Sequence, residues 1–241
     1  LGNNVVAPEN TAERVALWRA LHAQIDAAPH VMDDLIGFKL LAPDDSWRQR
    51  PDMSPEFTRM FRAAIVARAR FIDDLVIEQS ARGVEQYVIL GAGLDSFAQR
   101  LPDVAGKLQV FEVDQAGPQQ WKQQRLIELG YGTPEWLHFV PVDFEAGESW
   151  LERLAAMGFD KTRAAVVAST GVSLYLSREA TADSLRQIAT LAPGSTLAMT
   201  YIQPVELCDP EELPGREASE RGARANGTPF ISFYSPEDMT A

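Results

Sequence analysis

The chain has 241 residues, 46% of them hydrophobic, and a formal net charge of −12. That length supports one α/β domain with a large core. The acidity excludes nucleic acid and anionic membrane as favoured partners, since both are polyanions. No apolar run approaches ~18 residues, so no membrane span is expected. Cys208 is alone, which excludes an internal disulfide and a cysteine-rich metal site. His22, His30 and His138 show no metal-ligand spacing. The start, Leu1 to Asn4, lacks Met and shows no charged-then-apolar signal pattern, so a cytoplasmic location is the expectation.

Residues 1–83 read as a helical region. In Thr11 to Ala27 the residues Val15, Leu17, Trp18, Leu21 and Ile25 recur at helical intervals. Pro43, Pro51 and Pro55 then punctuate a loop. Ser54-Pro55 predicts a helix start with a hydroxyl cap, and Gly83 a C-terminal cap. On this long helix Phe57, Phe61, Ala64, Ile65, Ile72, Leu75 and Val76 are expected on one inward face. Arg68 falls on that face too, while Arg70 lies off it.

From residue 84 to 241 the chain alternates strand and helix. Strands are expected at 86–91, 108–113, 137–141, 164–169 and 195–202. Helices are expected near 94–101, 115–129, 147–157 and 178–191. The rhythm implies βαβ units, a mainly parallel sheet and helices on both faces. Residues 204–228, rich in Glu, Pro, Gly and Arg, read as a lid or loop above the sheet. After Ser235-Pro236 a helix starts with no room to finish, so further C-terminal strands are expected beyond this sequence.

The chemistry concentrates after the first of these strands. Tyr87-Val88-Ile89-Leu90 leads into Gly91-Ala92-Gly93, and Asp95-Ser96 follow. The glycines allow a sharp turn and close ligand approach. A dinucleotide fingerprint would place its third glycine where Ser96 stands. Asp95 beside the loop disfavours a phosphate and suits a cationic ligand such as S-adenosylmethionine. Asp114 closes the second strand 23 residues after Gly91. A carboxylate there suits a ribose diol; the other reading is a cap for the next helix. An inward arginine needs a partner. For Arg68 that is a ligand carboxylate, which its planar fork fits, a protein acid such as Asp73 or Asp74, or water reached by a snorkelling side chain.

Together these residues resemble the leucine carboxyl methyltransferase family, and within it the bacterial S-adenosylmethionine-dependent methyltransferases. The resemblance covers about residues 55–236. Its landmarks are Arg68 to Asp74 (RARFIDD), Val88 to Leu101 (VILGAGLDSFAQRL), Phe111 to Gln115 (FEVDQ), Val142-Asp143-Phe144 and Gly171 to Leu176 (GVSLYL). It implies a Rossmann-like class I methyltransferase fold with added N-terminal helices, and S-adenosyl-L-methionine as cofactor. It assigns Arg68 to the methionine carboxylate, the loop of Gly91, Ala92, Gly93 and Asp95 to the cofactor's passage, and Asp114 to ribose. Asp143 and Phe144 map to adenine, a helix cap being the other reading of Asp143. Thr170 stands where the family commonly has Glu facing the methionine amino group, so that contact loses a charge here.

The resemblance further implies O-methyl transfer to a small carboxylic acid. Such an acceptor is ionised at neutral pH and needs no general base. Ser169, Thr170 and Tyr201 are candidate acceptor-pocket residues, and Arg216, Arg221 and Arg224 candidate acceptor-steering cations unless they pair with Glu212, Glu217 and Glu220. Tyr175 reads as core packing. The rival readings are a nicotinamide oxidoreductase, against which Ser96 counts, and a non-catalytic S-adenosylmethionine-binding protein.

Overall fold

A computed structural model describes residues 10–240. Helix α1 (Asn10–Ile25) and the short α2 (Ile36–Leu41) pack closely. A Cβ on Gly37 would lie 2.5 Å from the Ala16 Cβ, so only glycine permits this approach. The proline-punctuated segment holds 3₁₀ turns at Asp45–Gln49 and Pro51–Met53 rather than open loop. There Trp47 and Met53 are buried with Leu17, Trp18 and Leu21 of α1.

Helix α3 (Pro55–Ala81) begins with proline in its first turn, as expected. Ser54 makes no side-chain cap, however. Its carbonyl accepts from both the amide and the hydroxyl of Thr58. Gly83 follows the helix end with a φ of 93°, a left-handed position that favours glycine.

The inward face of α3 differs from the expected one. Thr58, Arg62, Ile65, Val66, Ile72, Asp73 and Val76 are buried, whereas Phe57 and Ala64 are exposed. Polar side chains occupy three of those inward positions, so apolar periodicity alone points to a displaced stripe. The enclosed arginine is Arg62, 2% exposed. It donates to both carboxylate oxygens of Asp26 at 3.2 and 2.6 Å, and to the Pro55 carbonyl at 2.7 Å. Such satisfaction is what a buried guanidinium requires.

The Rossmann-like half follows. In chain order it comprises β1 (Gln86–Leu90), α4 (Phe97–Arg100), α5 (Pro102–Ala105), β2 (Gln109–Asp114), α6 (Ala116–Glu128), β3 (Leu137–Pro141), α7 (Trp150–Ala156), β4 (Val166–Ser169), α8 (Arg178–Ile188) and β5 (Thr196–Met199). The sequence expects one helix after β1; Pro102 divides it into α4 and α5. All four strand pairings are parallel, in the order β3-β2-β1-β4-β5. The five short strands read as continuous apolar runs because helices cover both faces. On one face Tyr87, Ile89, Val110 and Ala168 pack with Ile72 and Val76 of α3 and Phe97 of α4. On the other, Val88, Leu90, Phe111 and Val167 pack with Trp150 and Leu154 of α7. The order reverses direction between β1 and β4. At such a switch point loops diverge and open a crevice at the strands' C-terminal ends.

Residues 204–228 are not an open loop. A 3₁₀ turn at Val205–Leu207 precedes helix α9 (Leu213–Ala225), and α10 (Pro236–Thr240) ends the described chain. Pro at the first turn and Asn226 after the last are sequence signals for α9 that its composition hides. Among the described residues no helix is long and apolar enough to cross a membrane.

Candidate functional site

A cleft of about 240 Å³ opens at the switch point. Its floor is the loop after β1. Gly91 and Gly93 both take positive φ, 64° and 49°. A Cβ on Gly91 would also lie 2.4 Å from a Val172 methyl, so both conformation and space demand glycine. The amides of Gly91 and Ala92 donate to the Val113 carbonyl, which ties the loop to β2. Asp95 caps α4 by accepting from the Phe97 amide at 2.8 Å and also lines the cleft.

Asp114 stands at the tip of β2. Its Oδ2 accepts from the Gly93 amide at 2.6 Å and its Oδ1 from the Gln115 amide at 2.7 Å. Burial pushes its carboxyl above the ordinary range, and the two amides oppose that shift. Each oxygen keeps capacity for another donor, as a ribose diol requires.

Arg68 reaches the same cleft from α3. Asp73 pairs instead with Arg100 and Asp74 with Arg70, and no acid among the described residues pairs with Arg68. Burial, reinforced by the nearby Arg19 charge, lowers its pKa to about 10. Gly171, with a φ of 72°, lets the guanidinium approach: a Cβ there would sit 3.2 Å from Arg68 Nη2. A half-buried cation without an acid beside it has the charge and the planar fork to take a ligand carboxylate. The glycine cradle, the ribose-suited carboxylate and this cation fit the three ends of S-adenosylmethionine.

The other sequence-predicted residues divide. Ala92, Phe144 and Thr170 line the cleft with those above. Tyr175 also lines it, rather than packing only in the core. Ser169 lies in a smaller adjoining cavity of about 20 Å³, bordered by Phe144, Val172, Thr181 and Met199. Asp143 and Tyr201 line neither. Asp143 is exposed, and its Oδ1 accepts from the Glu145 and Ala146 amides. Of the three candidate acceptor arginines, Arg216 pairs with Glu220 at 2.6 Å and Arg221 with Glu217 at 3.5 Å. Arg19 was missed. It sits among the apolar residues of α1 and also lines the cleft. Its position one residue after Trp18, inside an amphipathic stripe, was the available signal.

A sequence model described as leucine carboxyl methyltransferase matches residues 12–189. The chain belongs to the leucine carboxyl methyltransferase family. Relatives bear this out. The Bacillus subtilis protein named "Putative S-adenosyl-L-methionine-dependent methyltransferase YktD" is 33% identical over 175 residues, which cover 72% of this chain and 57% of that protein. A Mycolicibacterium smegmatis protein with the same cofactor and activity in its name is 36% identical over 218 residues, covering 86% and 70%. This family member therefore spans little more than half the length of the Bacillus relative. A Streptomyces avermitilis protein of known structure, titled a duf574 family protein, superposes with a TM-score of 0.63 at 18% identity, covering 97% of this chain and 81% of that one. A methyltransferase-titled structure from Thermobifida fusca gives 0.56 at 21%, covering 97% and 78%. At such identities the likeness shows the Rossmann-like fold alone.

Proposed function

We propose that this chain acts as an S-adenosyl-L-methionine-dependent O-methyltransferase on a small carboxylic acid. The observation that carries the reading is the pairing of an acid-free Arg68 with the Asp114 carboxylate across one glycine-floored cleft. Arg68 holds the methionine carboxylate, the Gly91–Gly93 loop passes beneath the ligand, and Asp114 accepts from the ribose. Phe144 packs on the base. Asp95 and Thr170 face the cationic end, Thr170 with a hydroxyl only. Asp143 reaches the adenine edge only through a change of its present local bonds.

S-adenosylmethionine supplies a methyl carbon already activated by its sulfonium. The protein's part is alignment of the acceptor and exclusion of water. Among the described residues the cleft lining contains no histidine, lysine or cysteine. An acceptor that arrives ionised, as a carboxylate does, needs none of these groups as a base. Thr170 in the cleft and Ser169 in the adjoining cavity remain the candidate acceptor contacts, whereas Tyr201 lines neither. The pairing of Arg216 with Glu220 and of Arg221 with Glu217 within their own helix disfavours their use as acceptor-steering cations. Membership of the family and the names of the relatives support methyl transfer.

The test is turnover of methyl-labelled cofactor with matched panels of small carboxylic acids and phenols. Base-labile methyl esters formed from the acids are expected. Methyl ethers formed from the phenols alone would refute the carboxylate assignment while leaving methyl transfer in place.

A further inference from the structure

One buried carboxylate outside the cleft joins three separate segments of the chain. Asp34, 1% exposed, sits just before α2. Its Oδ1 accepts from the Ile36 amide at 2.9 Å. Its Oδ2 accepts from Arg19 Nε of α1 at 2.7 Å and from the Ser96 hydroxyl at 2.6 Å. Arg19 Nη2 then donates to the Leu94 carbonyl at 2.6 Å, on the loop after β1. Ser96 in turn accepts from Arg100 Nε at 3.0 Å, and Arg100 grips Asp73 of α3 through both amino groups at 2.5 and 2.9 Å. The loop that floors the cleft is thus bound at Leu94 and Ser96 to α1, to the start of α2 and to α3.

This accounts for Ser96, the residue that departs from the dinucleotide fingerprint. A glycine at 96 has no hydroxyl, so it could neither donate to Asp34 nor accept from Arg100. Burial raises the proton affinity of Asp34, but Arg19, Ser96 and Arg100 outweigh it and hold the carboxyl below its ordinary range. It is therefore a charged anchor, and charge-assisted bonds of this kind are the strong ones.

We infer that Asp34 is a positioning residue: through Arg19 and Ser96 it lets the N-terminal helices set the shape of the Gly91–Ser96 loop before any ligand arrives. Asp34 does not itself line the cleft. Its consequence is for ligand affinity, because a loop already shaped loses less conformational freedom on binding. That consequence rests on the S-adenosylmethionine reading of the cleft; the ordering of the loop does not.

The test uses the whole chain as Asp34→Asn, Ser96→Ala and the double variant. Two quantities are measured: amide hydrogen exchange over residues 91–97, and S-adenosylhomocysteine affinity by calorimetry. In the parent the amides of Gly91, Ala92, Gly93, Asp95 and Phe97 are all hydrogen-bonded, so exchange reads their protection. Both single variants are expected to exchange these amides about tenfold faster, with α7 unchanged, and to bind the ligand about tenfold more weakly. The double variant should lose much less than the product of the two single losses, because both act through one bond. If Asp34→Asn does not fold, Ser96→Ala alone decides, since it removes only a hydroxyl. Parent-like loop protection in folded Ser96→Ala overturns the inference. Faster loop exchange with parent-like affinity, or losses that simply multiply, overturns the positioning role. A parent that binds no S-adenosylhomocysteine defeats the cofactor reading instead, and the exchange result still judges the loop.

Discussion

The Gly93 amide donates to the Asp114 carboxylate over 2.6 Å. That bond joins the tip of β2 to the loop after β1, the two parts of the site that the sequence separates by twenty-odd residues. It fixes the rotamer of Asp114 in advance, so its remaining lone pairs point to one place. A preset acceptor needs little reorganisation when hydroxyls arrive.

Asp114→Ala should therefore weaken S-adenosylhomocysteine binding by about 1–3 kcal/mol, the scale for hydrogen bonds to a charged group. Part of that loss comes from the Gly93 amide, which loses its acceptor. Calorimetry on the folded variant measures it. Affinity equal to the parent's would remove Asp114 from the ribose site.

Arg68 offers a second, independent handle. Arg68→Lys keeps the charge but loses the planar fork, and a point charge cannot make two parallel bonds to a carboxylate. We expect about 1–2 kcal/mol of lost affinity from Lys, and more from Arg68→Ala. Stability should hold in both, or rise, because the present cation is half-buried with a like charge, Arg19, beside it. A lysine variant that binds as tightly as the parent would mean that the fork is not used.

Stability should fall as pH rises from about 5 to about 7.5. Glu112 lies buried on β2, bonded to Lys122 Nζ at 2.5 Å, and burial raises its pKa from 4.5 to about 7 despite that lysine. Between those two values the folded state holds a proton that the unfolded state has released. By linkage, stability then declines with rising pH through that window. Asp73 and Asp114, also raised by burial, act with the same sign. Asp34, held low, contributes stability that is lost only at more acid pH. Urea midpoints across the window measure the slope. Replacing the pair by Glu112→Gln with Lys122→Met should flatten it; an unchanged slope in that variant would assign the effect elsewhere.

Asp26→Asn should destabilise the fold by about 2–3 kcal/mol. It leaves the guanidinium of Arg62 enclosed without its counter-charge, the situation that makes broken buried pairs costly. The figure sits below the fully buried case because the Asp26 side chain is 29% exposed. Chemical denaturation reads it, and a loss under about 0.5 kcal/mol, the surface-pair scale, would show that water already screens the pair.

The legible parts of this chain were those where one residue type has one physical job. The apolar strand ending in Gly91-Ala92-Gly93 gave β1 and its turn, because positive φ and a close methyl leave only glycine. Asp114 was placed by the alternation of strand and helix. Arg68 was found in the cleft, although the stripe used to argue for it was displaced. Thr58, Arg62 and Asp73 take inward positions on α3, and hydropathy alone cannot see a buried polar side chain whose partner lies elsewhere in the chain. Helix α9 was hidden by its polar composition. The Asp34 network was illegible for another reason: it links positions 19, 34, 73, 96 and 100, and only the packing of α1, α2 and α3 on the loop brings them together. Ser96 stood out as a departure, but its purpose required the partner.

The central claim is that this cleft takes S-adenosylmethionine rather than a dinucleotide. The most direct measurement is calorimetric titration of the purified chain with S-adenosylhomocysteine and, separately, with NAD. We expect saturable one-to-one binding of S-adenosylhomocysteine, weakened in Asp114→Ala and Arg68→Ala, and no saturable heat from NAD. Binding of NAD with no response to S-adenosylhomocysteine would contradict the account.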